Sequence, residues 1–218
     1  MKRSTTWVSG CTLALLVALV AAVPAAAGPQ EPQAQEQEHA MQHEGMEQMP
    51  AEMQEKMAAW QKAGAVGEQH KQLAQGAGNW EFTAKFWMAP GGEPMTTTGT
   101  SERQMIMDGR VMQEEVTSQM MGEPFKGMAL IGYDNVRQHY WSTWTDNMST
   151  SLMQMTGHCA ESACNFFGSY VDPADGKVKH SRSTIRFEGK GKEVHQAYEY
   201  TPDGTEWKSM EFVYTKKQ

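Results

Sequence analysis

Residues 78–88 read GNWEFTAKFWM, and their pattern decides the fold class. Every second position is apolar: Trp80, Phe82, Ala84, Phe86 and Met88. Successive side chains of a β-strand point to opposite faces, so this period of two predicts a strand with one buried face. Gly76-Ala77-Gly78 interrupts the helical pattern before it, and Pro90-Gly91-Gly92 turns the chain after it.

Similar stretches follow at short spacing and predict an all-β domain of about ten strands. The other predicted strands are Met95–Met107, Arg110–Met120, Phe125–Tyr133, Arg137–Thr145, Thr150–His158, Cys164–Val171, Val178–Phe187, Glu193–Tyr200 and Trp207–Thr215. Turn residues separate them, including the two-residue hairpin signal Asp108-Gly109. A parallel sheet would need helices between strands, and none is indicated. Closure removes the exposed edges of such a meander, so we expect an antiparallel up-and-down β-barrel, with a sandwich as the alternative.

The N-terminus predicts export. Residues 1–27 combine a basic start, an apolar run from Cys11 to Val23 and small residues before Gly28, which is the pattern of a cleavable signal peptide. We therefore expect a periplasmic or secreted protein with no stable membrane insertion after cleavage. The removed segment has two basic residues and no acidic one, so cleavage changes the net charge from −7 to −9. Nucleic acid is not an expected partner of so acidic a protein. The sequence predicts no oligomeric state.

Residues 28–49 are rich in Gln, Glu, Met and His and predict a disordered leader, because they have too little apolar surface to bury. Soft ligands within it favour copper, although a low-complexity tether would have the same composition. These candidate metal ligands are His39, Met41, His43 and Met46. Residues 50–75 predict a helical segment, with Met53, Met57 and Trp60 at helical spacing and a second short turn over Glu68–Gln75. The barrel domain then occupies residues 76–218.

Two cysteines remain after the predicted cleavage, Cys159 and Cys164, across a predicted hairpin loop. An oxidising compartment permits a disulfide between them, and two reduced thiols are the alternative. The sequence has no nucleophile elbow, metalloprotease motif, phosphate loop or dinucleotide fingerprint. We therefore predict no catalytic residue and no cofactor, and the sequence does not decide whether the protein is an enzyme.

The predicted inner faces mix ionisable groups with aromatic and Met side chains. Arg110, Met112, Glu114 and Val116 share a face on the third strand, Tyr140, Ser142, Trp144 and Asp146 on the fifth, and Lys208, Met210, Phe212 and Tyr214 on the last. Burying a polar group without a partner costs about 1–3 kcal/mol, so such a mixture favours a lumen over a solid core. The alternative is a solvated face, because a register slip of one residue exchanges the two faces.

The lumen interpretation predicts a site for a small apolar or amphipathic ligand. Its predicted lining comprises Arg110, Met112, Glu114, Met128, Tyr133, Tyr140, Trp144, Asp146 and Phe212. Aromatic and Met side chains would form the walls, and Arg110, Glu114 and Asp146 the polar anchors. Two alternatives stay open. One is an enzyme of undefined reaction in the barrel cup, and the other is copper handling through the leader.

Several short strings resemble a known bacterial family, domain of unknown function 1579. They include Gly78-Asn79-Trp80-Glu81 and Pro124-Phe125-Lys126-Gly127, and the specific ones are Gly132-Tyr133-Asp134-Asn135 and Trp144-Thr145-Asp146-Asn147-Met148-Ser149-Thr150. The resemblance covers about Met57 to Lys217 and implies a calycin-like barrel, without an established activity. Gly78-x-Trp80 also resembles the first-strand motif of lipocalins. That likeness implies a structural role for Trp80, with Lys216 or Lys217 placed over its ring.

Overall fold

The computed structural model describes residues 49–160, 162–189 and 191–218, which contain two helices and ten strands. The helices are α1 (Ala51–Gly64) and α2 (Glu68–Gln75). The strands are β1 (Gly78–Phe86), β2 (Met95–Ile106), β3 (Val111–Met120), β4 (Glu123–Asp134), β5 (His139–Asp146), β6 (Met153–Cys159), β7 (Ala163–Val171), β8 (Val178–Phe187), β9 (Lys192–Tyr200) and β10 (Glu206–Lys216). None of the described helices is long and apolar enough to cross a membrane. The predicted signal peptide and copper ligands lie outside the described residues.

The ten strands form one closed antiparallel barrel, as predicted. Each strand pairs with its neighbours in the sequence, and β1 pairs with β10 from Trp80↔Lys216 to Phe86↔Met210. This last pairing removes both edges of the meander, so the barrel is confirmed over the sandwich. The predicted strand bounds agree with the observed ones to within a few residues.

The β2–β3 hairpin has a four-residue turn, whereas two residues were predicted. Met107, Asp108 and Gly109 all have positive φ, at 51°, 53° and 82°. The Gly109 N–H donates to the Ile106 carbonyl at 3.2 Å. The strands still pair symmetrically about Asp108 and Gly109, and this register places Arg103 opposite Glu114.

A β-bulge in β10 changes which side chains face inward. Lys208 pairs with Tyr198, whereas Met210 pairs with Ala197, so Ser209 is the extra residue. The Lys208 ammonium group lies 2.6 Å from the outward-facing carboxylate of Glu211. The prediction that Lys208 shares a face with Met210 is therefore wrong, because period two does not continue through a bulge.

One half of the interior, here called the packed half, is filled by side chains. Its buried centre is Phe82, Ala84 and Val116, and it is surrounded by Phe86, Phe125, Trp144 and Phe212. Two glycines make room for the rings. A Cβ atom at Gly99 would lie 2.4 Å from the Phe82 ring, and one at Gly127 would lie 2.3 Å from the Trp144 ring. Aromatic rings lying over glycines thus close this half.

Helix α2 is held at the opposite end of the barrel, where β1 begins and β10 ends. The Trp80 indole N–H donates to the Gly76 carbonyl just after the helix at 2.9 Å. The Tyr140 hydroxyl donates to Gln72 at 2.9 Å, and the Lys216 ammonium group donates to the Gln75 carbonyl at 3.2 Å. His70 is buried against the Tyr133 ring, and its burial lowers its pKa. The helix is therefore part of the rim at this end.

Candidate functional site

A cavity of about 900 Å³ occupies the half of the barrel next to α2. We call this region the cavity half. Its apolar wall is formed by Trp80, Met112, Ile131, Tyr140, Phe166 and Ile185. These six residues come from six different strands, and each lies on the inner face by alternation. The volume lies in the range of small-molecule sites, which are typically about 300–1,000 Å³.

A buried arginine lies where the two halves meet. Arg103 is on the inner face of β2 and is only 8% exposed. Its guanidinium carbon lies 4.7 Å from the ring centroids of both Trp80 and Tyr214. The two ring faces attract the cation that they enclose. The Lys216 ammonium group, predicted over Trp80, lies 5.4 Å from the same ring and occupies the rim.

Two buried carboxylates pair with this guanidinium. Arg103 Nε donates to Glu114 Oε1 at 3.0 Å, and Arg103 Nη1 donates to Glu193 Oε2 at 2.8 Å. The Ser101 hydroxyl adds a 2.6 Å hydrogen bond to Glu114 Oε1. Isolated buried charges are strongly unfavourable, and the mutual pairing of these three side chains offsets the cost of burying them inside the barrel.

The environment of Glu193 keeps it ionised. Burial alone would raise its pKa, but the hydrogen bond with His195 and the positive charge of Arg103 outweigh burial and lower the pKa of Glu193 to about 2. His195 Nε2 lies 2.9 Å from Glu193 Oε2, and the imidazole also borders the cavity. Burial would lower the pKa of Arg103, but the two carboxylates raise it above its usual value. Glu193 and Arg103 are thus both charged at neutral pH.

The unpaired atoms of this cluster differ in their access to the cavity. Arg103 Nη2 is the one fully buried side-chain polar atom without a partner in the described part of the chain. Glu114 Oε2 and Glu193 Oε1 also have no hydrogen-bond partner among the described residues, but they are not sealed in this way, and both residues line the cavity. The cavity is therefore lined by both carboxylates and by Arg103, whose Nε and Nη1 are paired with the carboxylates and whose Nη2 is buried.

The residues predicted to bind a ligand separate into three groups. Met112, Glu114 and Tyr140 line the cavity, and Tyr133 packs on Tyr140 with ring centroids 4.9 Å apart. Trp144, Asp146 and Phe212 face inward at the packed half, away from the cavity. Arg110 and Met128 lie outside the interior.

Each of these displaced residues has a physical reason for its position. The Trp144 indole N–H donates to Asp146 at 2.9 Å, and the same carboxylate also accepts the Met148 N–H in the turn that follows. Arg110 belongs to the β2–β3 turn and donates to the Gly64 carbonyl at 2.9 Å. Met128 is on the outward face of β4 and is 39% exposed. Arg110 and Asp146 are therefore not the polar anchors of this cavity.

Sequence reasoning missed Ser101, Arg103, Glu193 and His195. A signal for Arg103 was present, because a hairpin centred on Asp108-Gly109 places it opposite Glu114. No comparable signal existed for Glu193, which is 90 residues from Arg103 in sequence and reaches it only through barrel closure.

Cys159 and Cys164 form a disulfide at the rim of the cavity. Cys159 ends β6, Cys164 lies at the start of β7, and the two residues pair directly across the hairpin. Both line the cavity, and Cys164 is buried. The bond ties together the two strands that carry this part of the wall.

Comparison with known proteins identifies a family and a fold. No curated protein matches the chain. Among solved structures, the crystal structure of Rv2717c from M. tuberculosis is 10% identical and has a TM-score of 0.50, with 71% of this chain and all of that chain covered. A redesigned β-barrel shows the same coverage and identity with a TM-score of 0.38. The first likeness supports the barrel fold and nothing beyond it.

The family comparison covers most of the folded chain. The family model described as "Protein of unknown function (DUF1579)" matches residues 65–216. The match begins just before α2 and ends at the last residue of β10, so it includes the whole barrel and the cavity. This protein therefore belongs to the DUF1579 family of proteins of unknown function.

Proposed function

We propose that this protein is an exported binding protein that holds a small amphipathic molecule in the cavity half of its barrel. The observation that supports the proposal most strongly is the cavity of about 900 Å³, with apolar walls on several strands and a charged cluster at one side. Apolar walls contribute affinity through burial, and a few fixed polar groups orient the ligand. The expected route to the periplasm or medium rests on the signal-peptide pattern of residues 1–27.

The cluster of Arg103, Glu114 and Glu193 also has to be considered as a catalytic site. Buried ionisable groups with shifted pKa values are common at active sites. A general base that works near neutral pH needs a pKa near neutrality, whereas the pKa of Glu193 is about 2. Arg103 and both carboxylates are already engaged with one another. The geometry therefore favours a fixed recognition surface over an acid–base centre.

Fluorescence titration with an uncharged aromatic probe, N-phenyl-1-naphthylamine, tests the proposal. We expect saturable binding of about one probe per chain. Ile185→Trp would fill part of the cavity and should weaken binding at least about tenfold. Thr184→Trp is the matched control, because Thr184 is the adjacent residue on β8 and faces outward. Equal binding by both variants, or no saturable binding by the wild-type protein, would contradict the proposed function.

A further inference from the structure

We infer that the cavity selects ligands whose polar end is a cation or a hydrogen-bond donor, such as an alkylammonium group, and disfavours carboxylate ligands. This inference rests on the proposed function and specifies the chemistry of the ligand. Its basis is the direction in which the charged cluster presents its atoms. The cluster combines the two carboxylates of Glu114 and Glu193 with the single guanidinium of Arg103, so its carboxylates outnumber its guanidinium two to one.

A buried arginine in a barrel would ordinarily suggest an anionic ligand. Here Arg103 Nε and Nη1 already donate to the two glutamates. Its remaining nitrogen, Nη2, is fully buried and has no partner among the described residues, although Arg103 itself lines the cavity. A ligand carboxylate would therefore meet a guanidinium that is already paired with two carboxylates, and it would approach those two like charges, which disfavour it in a poorly solvated site.

The two carboxylates, in contrast, can accept hydrogen bonds from a ligand. Each uses one oxygen for Arg103 and retains a second oxygen without a partner among the described residues. An ammonium group has three donors and can reach such acceptors. The apolar wall across the cavity, which includes Met112, Phe166 and Ile185, suits an alkyl or aromatic tail. Charge and shape together match an amphipathic amine.

Lys216 at the rim could instead bind an anionic head group, which is the competing orientation of a ligand. Lys216 lines the opening and donates to the Gln75 carbonyl, so an anionic head group could bind there with its tail inside. A ligand in that orientation would depend on Lys216 and would not depend on the glutamates. Variants at the two places therefore separate the two orientations.

The test displaces the bound probe with three ligands that share one tail: dodecylamine, dodecanol and dodecanoate. At pH 7 the two charged ligands are kept below their micelle concentrations and dodecanol below its solubility limit. We expect dodecylamine to bind at least about tenfold more tightly than dodecanoate, with dodecanol between them. Glu114→Gln should reduce this preference to about threefold or less. Glu81→Gln is the control, because Glu81 pairs with Lys217 on the outer face and should leave the preference unchanged.

The wild-type series is decisive even where a cluster variant fails to fold. Dodecanoate binding as tightly as dodecylamine would overturn the inference and leave the proposed binding function intact. An anion preference that disappears in Lys216→Met would overturn it in favour of the rim orientation. If the probe itself does not bind, the proposed function fails before the ligand series begins.

Discussion

The two halves of this barrel are built from the same strands and differ in what fills them. In the packed half, the Phe82 and Trp144 rings lie over glycines, and side chains occupy the interior. In the cavity half, aromatic and aliphatic side chains stand around about 900 Å³ of space, with a buried ion cluster at its boundary. The filled interior of the packed half stabilises the closed barrel, whereas only the cavity half has room for a ligand. The comparison indicates that the filled part and the open part of the interior are separated along the barrel axis.

The largest expected effect comes from removing the cation at the boundary. Arg103→Met would leave two buried carboxylates without their partner and remove the cation between Trp80 and Tyr214. Breaking a buried pair in this way typically costs about 3–5 kcal/mol. Chemical denaturation should show a loss of this size, and Glu81→Gln should be nearly neutral as an exposed control. A loss below about 1 kcal/mol for Arg103→Met would show that the cluster does not stabilise the boundary.

A matched pair of phenylalanines compares the halves directly. Phe82 in the packed half is 4% exposed and Phe166 in the cavity wall is 5% exposed. Phe82→Ala should lose about 3–5 kcal/mol of unfolding free energy, because a new void opens in a filled core. Phe166→Ala should lose about 1–2 kcal/mol less, since one side of its ring already borders empty space. Equal losses by urea unfolding would contradict the difference in packing.

The loss of stability at low pH should also originate at the cavity, through Glu193. Because the pKa of Glu193 is lowered to about 2 from its usual 4.5, the native state holds this proton less readily than the unfolded chain. Its stabilising contribution is therefore complete above pH 4.5 and is lost as the pH falls toward 2, by on the order of 3 kcal/mol. Glu193→Gln should flatten this part of the stability curve. An unchanged curve would show that another group controls the acid response.

The smallest expected effect concerns the disulfide at the rim. The Cys159–Cys164 bond closes a short loop, so its removal should cost about 2 kcal/mol on the chain-entropy model. The double variant Cys159→Ser with Cys164→Ser should lower the melting temperature by several degrees and still fold. It should also weaken probe binding more than the Thr184→Trp control does, because both cysteines line the cavity. If the double variant binds the probe as well as the control does, the disulfide does not contribute to probe binding in the cavity.

The sequence predicted the barrel well and the site only in part. Period-two patterns and turn residues are local signals, and antiparallel neighbours extend them to the whole meander. Met112, Glu114 and Tyr140 lay on correctly assigned inner faces, and all three border the cavity. Alternation identifies an inner face but does not show how far along the barrel the interior is filled. Trp144 and Phe212 were therefore assigned correctly to the inner face of the barrel, but they lie in the packed half and not in the cavity half.

The remaining errors come from interactions across the closed barrel. Glu193 meets Arg103 only after β9 and β2 are brought together by closure, which no hairpin pattern reports. The bulge at Ser209 turns Lys208 outward without a recognisable signal in the sequence. Arg110 was assigned to a strand but belongs to a four-residue turn, where its Nε donates a hydrogen bond to the Gly64 carbonyl.

The most direct test of the central claim is native mass spectrometry of the protein purified from its natural source, measured before and after denaturation. We expect a reproducible adduct of one small organic molecule that is present on the native protein and absent after denaturation. The same adduct should be reduced in Ile185→Trp and retained in Thr184→Trp. A native mass equal to that of the bare chain would contradict the claim that the cavity half holds a ligand.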